Sequence, residues 1–361
     1  MRVRQTVFPP FIRQSDNTTR VMADVIIALI PCVFMSWLAF GTMPVMAVLV
    51  AAGSAMVAEF LFSLVYFGRT DSLSDGSAIV TGMILALTIA PFTPLYVVAF
   101  GGAMAVLFGK LLWGGLGQNR FNPALVGREL MTVCFPAVMA SRSIWPGAGQ
   151  ANISEITISG HAFIDALFYR PVGAIGEYSV FFLVIGGLYL LARRRISWHI
   201  PFALCAAFTA GLLLFPDAGI RFSLGGVLLG AIYMATDMPT SSSTRGGKLY
   251  YGAMIGAAAI LCIIMGVRHE YLSYAILLLN AFVHPINWVF RPRVWGMGWN
   301  GFERLWQGIV LTGAVFAACF AVIWLHRLNA VMYLVFAYIA WCVVRFIVVQ
   351  AKMRKKAALA G

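Results

Sequence analysis

Apolar residues fall in long runs along this chain, separated by short polar stretches. The runs cover roughly residues 21–41, 43–67, 76–91, 93–112, 122–140, 174–192, 199–215, 222–236, 249–266, 271–290, 306–325 and 329–349. Most are about 17 to 25 residues long, the length a helix needs to cross about 30 Å of hydrocarbon. The expectation is an all-α, polytopic membrane protein. The run at 76–91 is short enough to be a half-helix, and Pro91-Phe92-Thr93-Pro94 closes it. After the fourth run comes Gly114-Gly115-Leu116-Gly117-Gln118-Asn119-Arg120-Phe121-Asn122-Pro123. Glycine, Asn and Pro at membrane depth are tolerated only where backbone is buried in protein or lines a polar cavity. This stretch is therefore expected to be a broken-helix element at a binding site.

The runs divide the chain. Residues 1–20 form a polar amino-terminal segment, 21–140 a first set of five helices, 141–173 a polar outer loop and 174–290 a second set of five. Residues 291–361 hold a cytoplasmic link, an added helical hairpin and the basic tail Lys352 to Lys356. Five is odd, so a repeated set would return upside down. The halves rhyme: Thr81-Gly82 leads to Pro91 and Pro94, and Gly225, Gly226 and Gly230 lead to Thr236-Asp237-Met238-Pro239. Inverted repeats with broken helices meeting at the midplane are a transporter-type architecture, although shared membrane composition would also give a rhyme this loose. The hairpin falls outside the symmetry and suits packing or partner contact.

Composition agrees with the runs. Hydrophobic residues make up 61% of the chain and charged ones 11%, with mean hydropathy +0.87, where soluble domains carry about 25% charged. The net charge of +13 follows the predicted loops and does not form a nucleic-acid face. With the amino terminus placed inside, only Arg142, Arg170, Arg221, Arg268 and Arg327 of the 26 basic residues fall outside, as the positive-inside rule requires. No small-residue cleavage site follows the basic first twenty residues, so no signal peptide is expected. The six cysteines sit singly on separate runs, without CxxC or Cys/His clusters, so an iron–sulfur or zinc site within this chain is not expected. The histidines show no metal spacing and read as structural or interfacial. Walker and Rossmann fingerprints are both missing, which disfavours an ATP-driven pump or a nicotinamide site.

Intramembrane charge needs a reason. Asp75 opens the third run and Asp237 closes the eighth, both on the inside and both among hydroxyl residues. Two such carboxylates suit a hard cation such as Na⁺; the plainer alternatives are a helix cap for Asp75 and a capping or turn role for Asp237. Arg128 and Glu129 are expected near the inner end of the fifth run, paired with one another or facing partners.

Ser74-Asp75-Gly76-Ser77-Ala78, Gly114 to Asn119, Phe121-Asn122-Pro123-Ala124 and Arg291-Pro292-Arg293-Val294-Trp295-Gly296 resemble the D subunit of the Rnf complex. Gly173 to Glu177, Ile196 to Ile200 and Met234 to Asp237 resemble equally its homologue, the B subunit of the Na⁺-translocating NADH:quinone reductase. The short amino-terminal segment favours the Rnf type. The resemblance covers about residues 1–296 and implies an electron-transfer subunit of a complex that couples ferredoxin/NAD electron flow to Na⁺ or H⁺ transport. Its setting would be the bacterial inner membrane, among other Rnf-type subunits and lipid. It also implies FMN, joined by its phosphate to a Thr of a Ser-Gly-Ala-Thr type sequence in the outer loop. The comparable run here is Ser154-Glu155-Ile156-Thr157, where Glu155 and Ile156 replace the small residues. Thr157, with Ser154 beside it, is then either the flavin threonine or an ordinary loop threonine, the flavin in that case being held non-covalently or absent. By the same resemblance Gly115, Gly117, Asn119 and Asn122 lie near the cofactor or quinone region, and Asp75 and Asp237 on the cation path. The reading from another class is a flavin-free small-solute transporter of the same architecture; flavin colour in the purified protein separates the two.

Overall fold

The computed structural model describes residues 17–68, 74–146, 151–152, 160–216, 220–267, 269–292 and 301–360. Among them the regular structure is helical throughout. The first set comprises α1 (Thr18–Phe40), α2 (Thr42–Phe67), α3 (Ser77–Leu87), α4 (Leu95–Gly109) and α5 (Pro123–Cys134). Two short helices, α6 (Pro136–Met139) and α7 (Ala162–Phe168), occupy the connection to the second set. That set comprises α8 (Val180–Ala192), α9 (His199–Leu214), α10 (Leu224–Leu229) with a π-helical turn at Gly230–Met234, α11 (Arg245–Ile264) and α12 (Tyr271–Val289). The hairpin is α13 (Gly301–Arg327) and α14 (Val331–Ala360).

Seven helices are long and apolar enough to cross a membrane: α1, α2, α4 with its following turn, α11, α12, α13 and α14. The others stop short for local reasons. α3 ends at Leu87 with Thr88 as its cap, just before Pro91. The run expected as one helix over 122–140 breaks at Phe135-Pro136, because proline has no N–H for the ladder. α5 is left with 12 residues, about 18 Å of rise, so it cannot cross alone. The expected span at 174–192 likewise yields a helix only from Val180, after a 3-10 turn at Ile175–Glu177.

Packing repeats between the two sets. α2 lies against α4 and α9 against α11, and α4 packs on α5 as α11 packs on α12. Both major pairs close on glycine: a Cβ at Gly102 would run into Ser54 and the Ala51 carbonyl, and one at Gly256 would meet the Leu204 carbonyl at 2.5 Å. Lipid gives no hydrophobic drive between helices, so such close backbone contact supplies the association energy. The first helices of the sets, α1 and α8, pack on one another across the middle. The buried core runs through both sets and includes Leu85, Leu87, Leu125, Ile175, Ile255 and Leu279.

Candidate functional site

Two cavities flank the short helices, at opposite ends of α1. The proximal cavity, about 600 Å³, is lined by residues from the start of α1 (Thr18, Val21) with Lys110, Gly117, Asn119, Asn122, Arg194 and Asp237. The distal cavity, about 820 Å³, is lined by Arg128, Trp145, Glu177, Arg221, His269 and Ser273. The distal cavity lies toward the end of α1: Tyr178, next to the lining residue Glu177, sets its ring 5.4 Å from that of Phe40. Neighbouring residues of the same elements line first one cavity and then the other: Ala124 and Leu125, Ile84 and Thr88, Tyr233 and Met234. A septum of side chains from α3, α5 and the π turn therefore divides them. A π turn inside a helix often marks a functional position.

The polar string at 114–123 lies on the proximal side, as its composition requires. Gly114, Gly115 and Gly117 have φ of 121°, 99° and 82°, conformations that only glycine adopts without strain. Asn122 caps α5, its Oδ1 accepting from the N–H groups of Ala124 and Leu125 at 3.0 and 3.3 Å. Its Nδ2 donates to the Met234 carbonyl at 3.1 Å, across to the second set. Its own N–H donates to Asn280 Oδ1, whose Nδ2 donates to the Thr240 carbonyl and the Tyr251 hydroxyl. Asn122 thus fastens the two halves while lining the proximal cavity. Asn119 keeps one: Nδ2 approaches Asp237 Oδ2 at 3.4 Å, while Oδ1 is buried without a hydrogen-bond partner. Asp237 Oδ2 also accepts from the Thr240 hydroxyl at 2.8 Å. Asp237 sits in the connection before α11, and its burial pushes the carboxyl up to about 6, against the pull of Thr240 and Asn119.

Asp75 has a different setting. Oδ1 accepts from the N–H and hydroxyl of Ser77, the first residue of α3, at 2.7 and 2.6 Å, one position before the Gly76 cap, and Oδ2 lies 3.8 Å from Lys110 Nζ. That buried ammonium donates to both oxygens of Glu59 at 2.8 and 2.9 Å and to Ser77. Asp75 and Asp237 share the proximal side, but one precedes the third helix of its set and the other follows it, so they are not symmetry mates.

Arg128 and Glu129 do not pair as the sequence suggested. With α5 cut short, Arg128 turns to the distal side and donates to the His269 carbonyl at 3.2 Å. Glu129 is 6% exposed, with Oε1 lacking a hydrogen-bond partner. Nearby in the distal cavity, burial raises the Glu177 carboxyl, opposed by the Ser223 hydroxyl and the charge of Arg128. Of the histidines, His326 Nδ1 meets the Tyr274 hydroxyl at 3.1 Å and His269 stacks on Trp145. No group of three or more His, Cys, Asp or Glu that could hold a metal occurs among the described residues. Ser154 and Thr157 lie outside the described residues.

Sequence reasoning passed over two buried clusters. Asp24 of α1, 4% exposed, accepts from Arg195 Nε at 2.6 Å, Arg193 Nε at 3.3 Å and the Tyr189 hydroxyl at 2.8 Å. Glu59 and Lys110 form the other. A lone carboxylate in an apolar run was the available signal, near the start of the first run for Asp24 and well inside the second for Glu59.

The hairpin reaches the polar string as well. Trp113 Nε1 donates to the Tyr338 hydroxyl, which donates to the Phe108 carbonyl at 2.9 Å, and the Arg345 guanidinium lies 4.4 Å from the centre of the Trp113 ring.

Comparison with known proteins shows the family of the chain. The model of the NQR2, RnfD, RnfE family matches residues 5–296. The D subunit of the ion-translocating oxidoreductase complex of Erwinia tasmaniensis is 31% identical over 341 residues, covering 80% of this chain and 96% of the relative. The D subunit of the proton-translocating ferredoxin:NAD(+) oxidoreductase complex of Clostridium ljungdahlii is 30% identical over 315 residues, 80% of this chain and 94% of the relative. The Escherichia coli counterpart, again the D subunit of an ion-translocating oxidoreductase complex, is 31% identical over 343 residues, with 80% and 97% covered.

Proposed function

The chain belongs to the NQR2, RnfD, RnfE family, and from that premise we propose that it is the D-type membrane subunit of an Rnf-type ion-translocating oxidoreductase. The observation that carries this is the similarity to the Erwinia D subunit along nearly the whole length of that relative. In this reading the complex couples ferredoxin/NAD electron transfer to movement of Na⁺ or H⁺, and the chain works only inside it. The multi-pass chain lies in the bacterial inner membrane with its amino terminus in the cytoplasm, so the proximal cavity faces the cytoplasm. Lys110 and Arg194 on that cavity support the orientation. The two cavities and their septum are the ion route. Asp237 is its cytoplasmic-side group, helped by the unpartnered oxygen of Asn119 and the hydroxyl of Thr240. Asp75 has Lys110 close by and contributes chiefly by holding Ser77 at the start of α3.

FMN bound through its phosphate to Thr157, with Ser154 beside it, completes the proposal. When bound, the flavin supplies one- and two-electron chemistry, and the protein's part is to hold it near redox partners in other subunits. Gly117, Asn119 and Asn122 line the proximal cavity, on the cytoplasmic side in this reading, so they belong with the ion route or a quinone and not with a flavin on the outer loop.

Affinity purification of the tagged chain tests the assignment: the other Rnf-type subunits should co-purify, and deleting the chain should abolish ferredoxin/NAD electron throughput in membranes. Normal throughput after deletion would sink it. An in-gel flavin band lost in Thr157→Ala, with FMN mass on peptide 143–170, tests the attachment. A colourless protein that moves a small solute in liposomes would favour the transporter reading instead.

A further inference from the structure

Glu129 has no part in the capping and cross-linking network of the proximal side. It lies on α5, the short helix that forms one wall of the septum, and is 6% exposed. Oε1 has no hydrogen-bond partner, and neither has the hydroxyl of its neighbour Ser273, which is 2% exposed and lines the distal cavity. Two unpartnered oxygens buried side by side are costly when one belongs to a carboxylate. The Ser273 hydroxyl can donate to either form of the carboxyl, so what a proton on Glu129 removes is the buried charge itself.

The groups facing Glu129 can be named element by element. Arg128, on the same helix, is drawn away by its bond to the His269 carbonyl. From the start of α12 come Glu270, a like charge, and the Tyr274 hydroxyl, which is held by His326 of α13. α3 contributes no ionisable side chain and α4 only Tyr96, which packs on Phe135. On α14, Arg345 is committed to Trp113. Arg128 therefore acts on Glu129 through its charge and not through a hydrogen bond, and the charge of Glu270 opposes it.

We propose that Glu129 is a proton-exchange site of the distal cavity, carrying a proton at rest and releasing it toward the cavity past the Ser273 hydroxyl. In that step the carboxylic O–H bond breaks, the proton passes to cavity water, and the carboxylate is left beside Arg128. Reloading runs the same way in reverse. The inference rests on the ion-route reading only for its purpose, since proton exchange at Glu129 can be observed whether or not the complex pumps.

Infrared spectroscopy of the full chain in oriented vesicles tests it. At neutral pH the wild type should show the carbonyl band of a protonated carboxylic acid, absent in Glu129→Gln and retained in Asp237→Asn. Raising the pH on the distal side should bleach the band, and raising it on the proximal side alone should not. Ser273→Ala should move the pH midpoint. A band that survives Glu129→Gln, or one that follows only the proximal pH, overturns the proposal. Should that variant fail to fold, a hydrophobic carbodiimide applied to the wild type should modify Glu129, more slowly as the distal pH rises; absence of an adduct there overturns it equally. Loss of ion transport by the whole complex with the infrared result intact would count against the ion route, not against the proton site.

Discussion

Asn122 offers the sharpest test of how the two halves are held. It caps α5 through Oδ1 and ties that helix to the second set through Nδ2 on the Met234 carbonyl. Asn122→Ala removes both. Loss of the cap costs about 1 kcal/mol, and the orphaned buried carbonyl costs about 1–3 kcal/mol, so the sum is roughly 2–4 kcal/mol. Two further variants separate the terms. Asn122→Ser keeps a capping oxygen but cannot reach Met234, so it should lose only the second part. Asn122→Asp keeps the cap, and its negative charge suits a helix N-terminus. It also sets a carboxylate oxygen against the Met234 carbonyl, and should be less stable than Ser despite the better cap. The assay is unfolding in mixed micelles as the SDS fraction rises, followed by circular dichroism and tryptophan fluorescence. The expected order is wild type, Ser, then Asp, with Ala lowest or level with Asp. Wild-type stability in Asn122→Asp would show that the link to Met234 carries nothing, and the reasoning would fail.

Other consequences can be checked alongside. Lys110→Met should destabilise by about 3–5 kcal/mol by stranding Glu59 in the interior, while the double variant Glu59→Gln/Lys110→Met should recover most of it; a double variant as unstable as the single would refute the pairing. The raised Asp237 carboxyl means that the folded state keeps its proton to higher pH than the unfolded one, so this residue's contribution to stability falls as pH rises from about 4 to about 6. The difference in melting midpoint between Asp237→Asn and wild type should accordingly grow over that window and level off above it. Asp237→Asn should also weaken the Na⁺ dependence of turnover in the assembled complex while leaving flavin content unchanged; an unaltered Na⁺ response would return Asp237 to a turn role. Tyr338→Phe should leave the fold intact but shift Trp113 fluorescence, since the indole N–H loses its acceptor; an unchanged spectrum would mean that α14 does not brace the polar string.

The sequence exposed what is local and hid what is distant. Run lengths located the long helices, and Pro91 and Pro94 marked the short third helix. The glycines and asparagines of 114–122 announced a polar turn before any contact was visible. Phe135-Pro136 escaped notice because an averaged hydropathy passes smoothly over a single proline, and with it went the true position of Arg128. Asp24 and Arg195 are 171 residues apart, and Lys110 and Glu59 are 51 apart. No local period encodes such partnerships; each appears only once the two helix sets are brought together. The doubled role of Asn122 was hidden for the same reason, because its cap is local and its tie to Met234 is not.

The thin septum also has an electrical consequence. Water and polar groups filling both cavities would carry the potential of each bulk phase deep into the protein. The transmembrane voltage would then fall almost wholly across the layer where Ile84, Leu125 and Met234 lie. An elementary charge stepping over that layer would experience about 2.3 kcal/mol for each 100 mV, compressed into the width of a few side chains. Voltage would act on this one narrow place, and Glu129 stands at its edge.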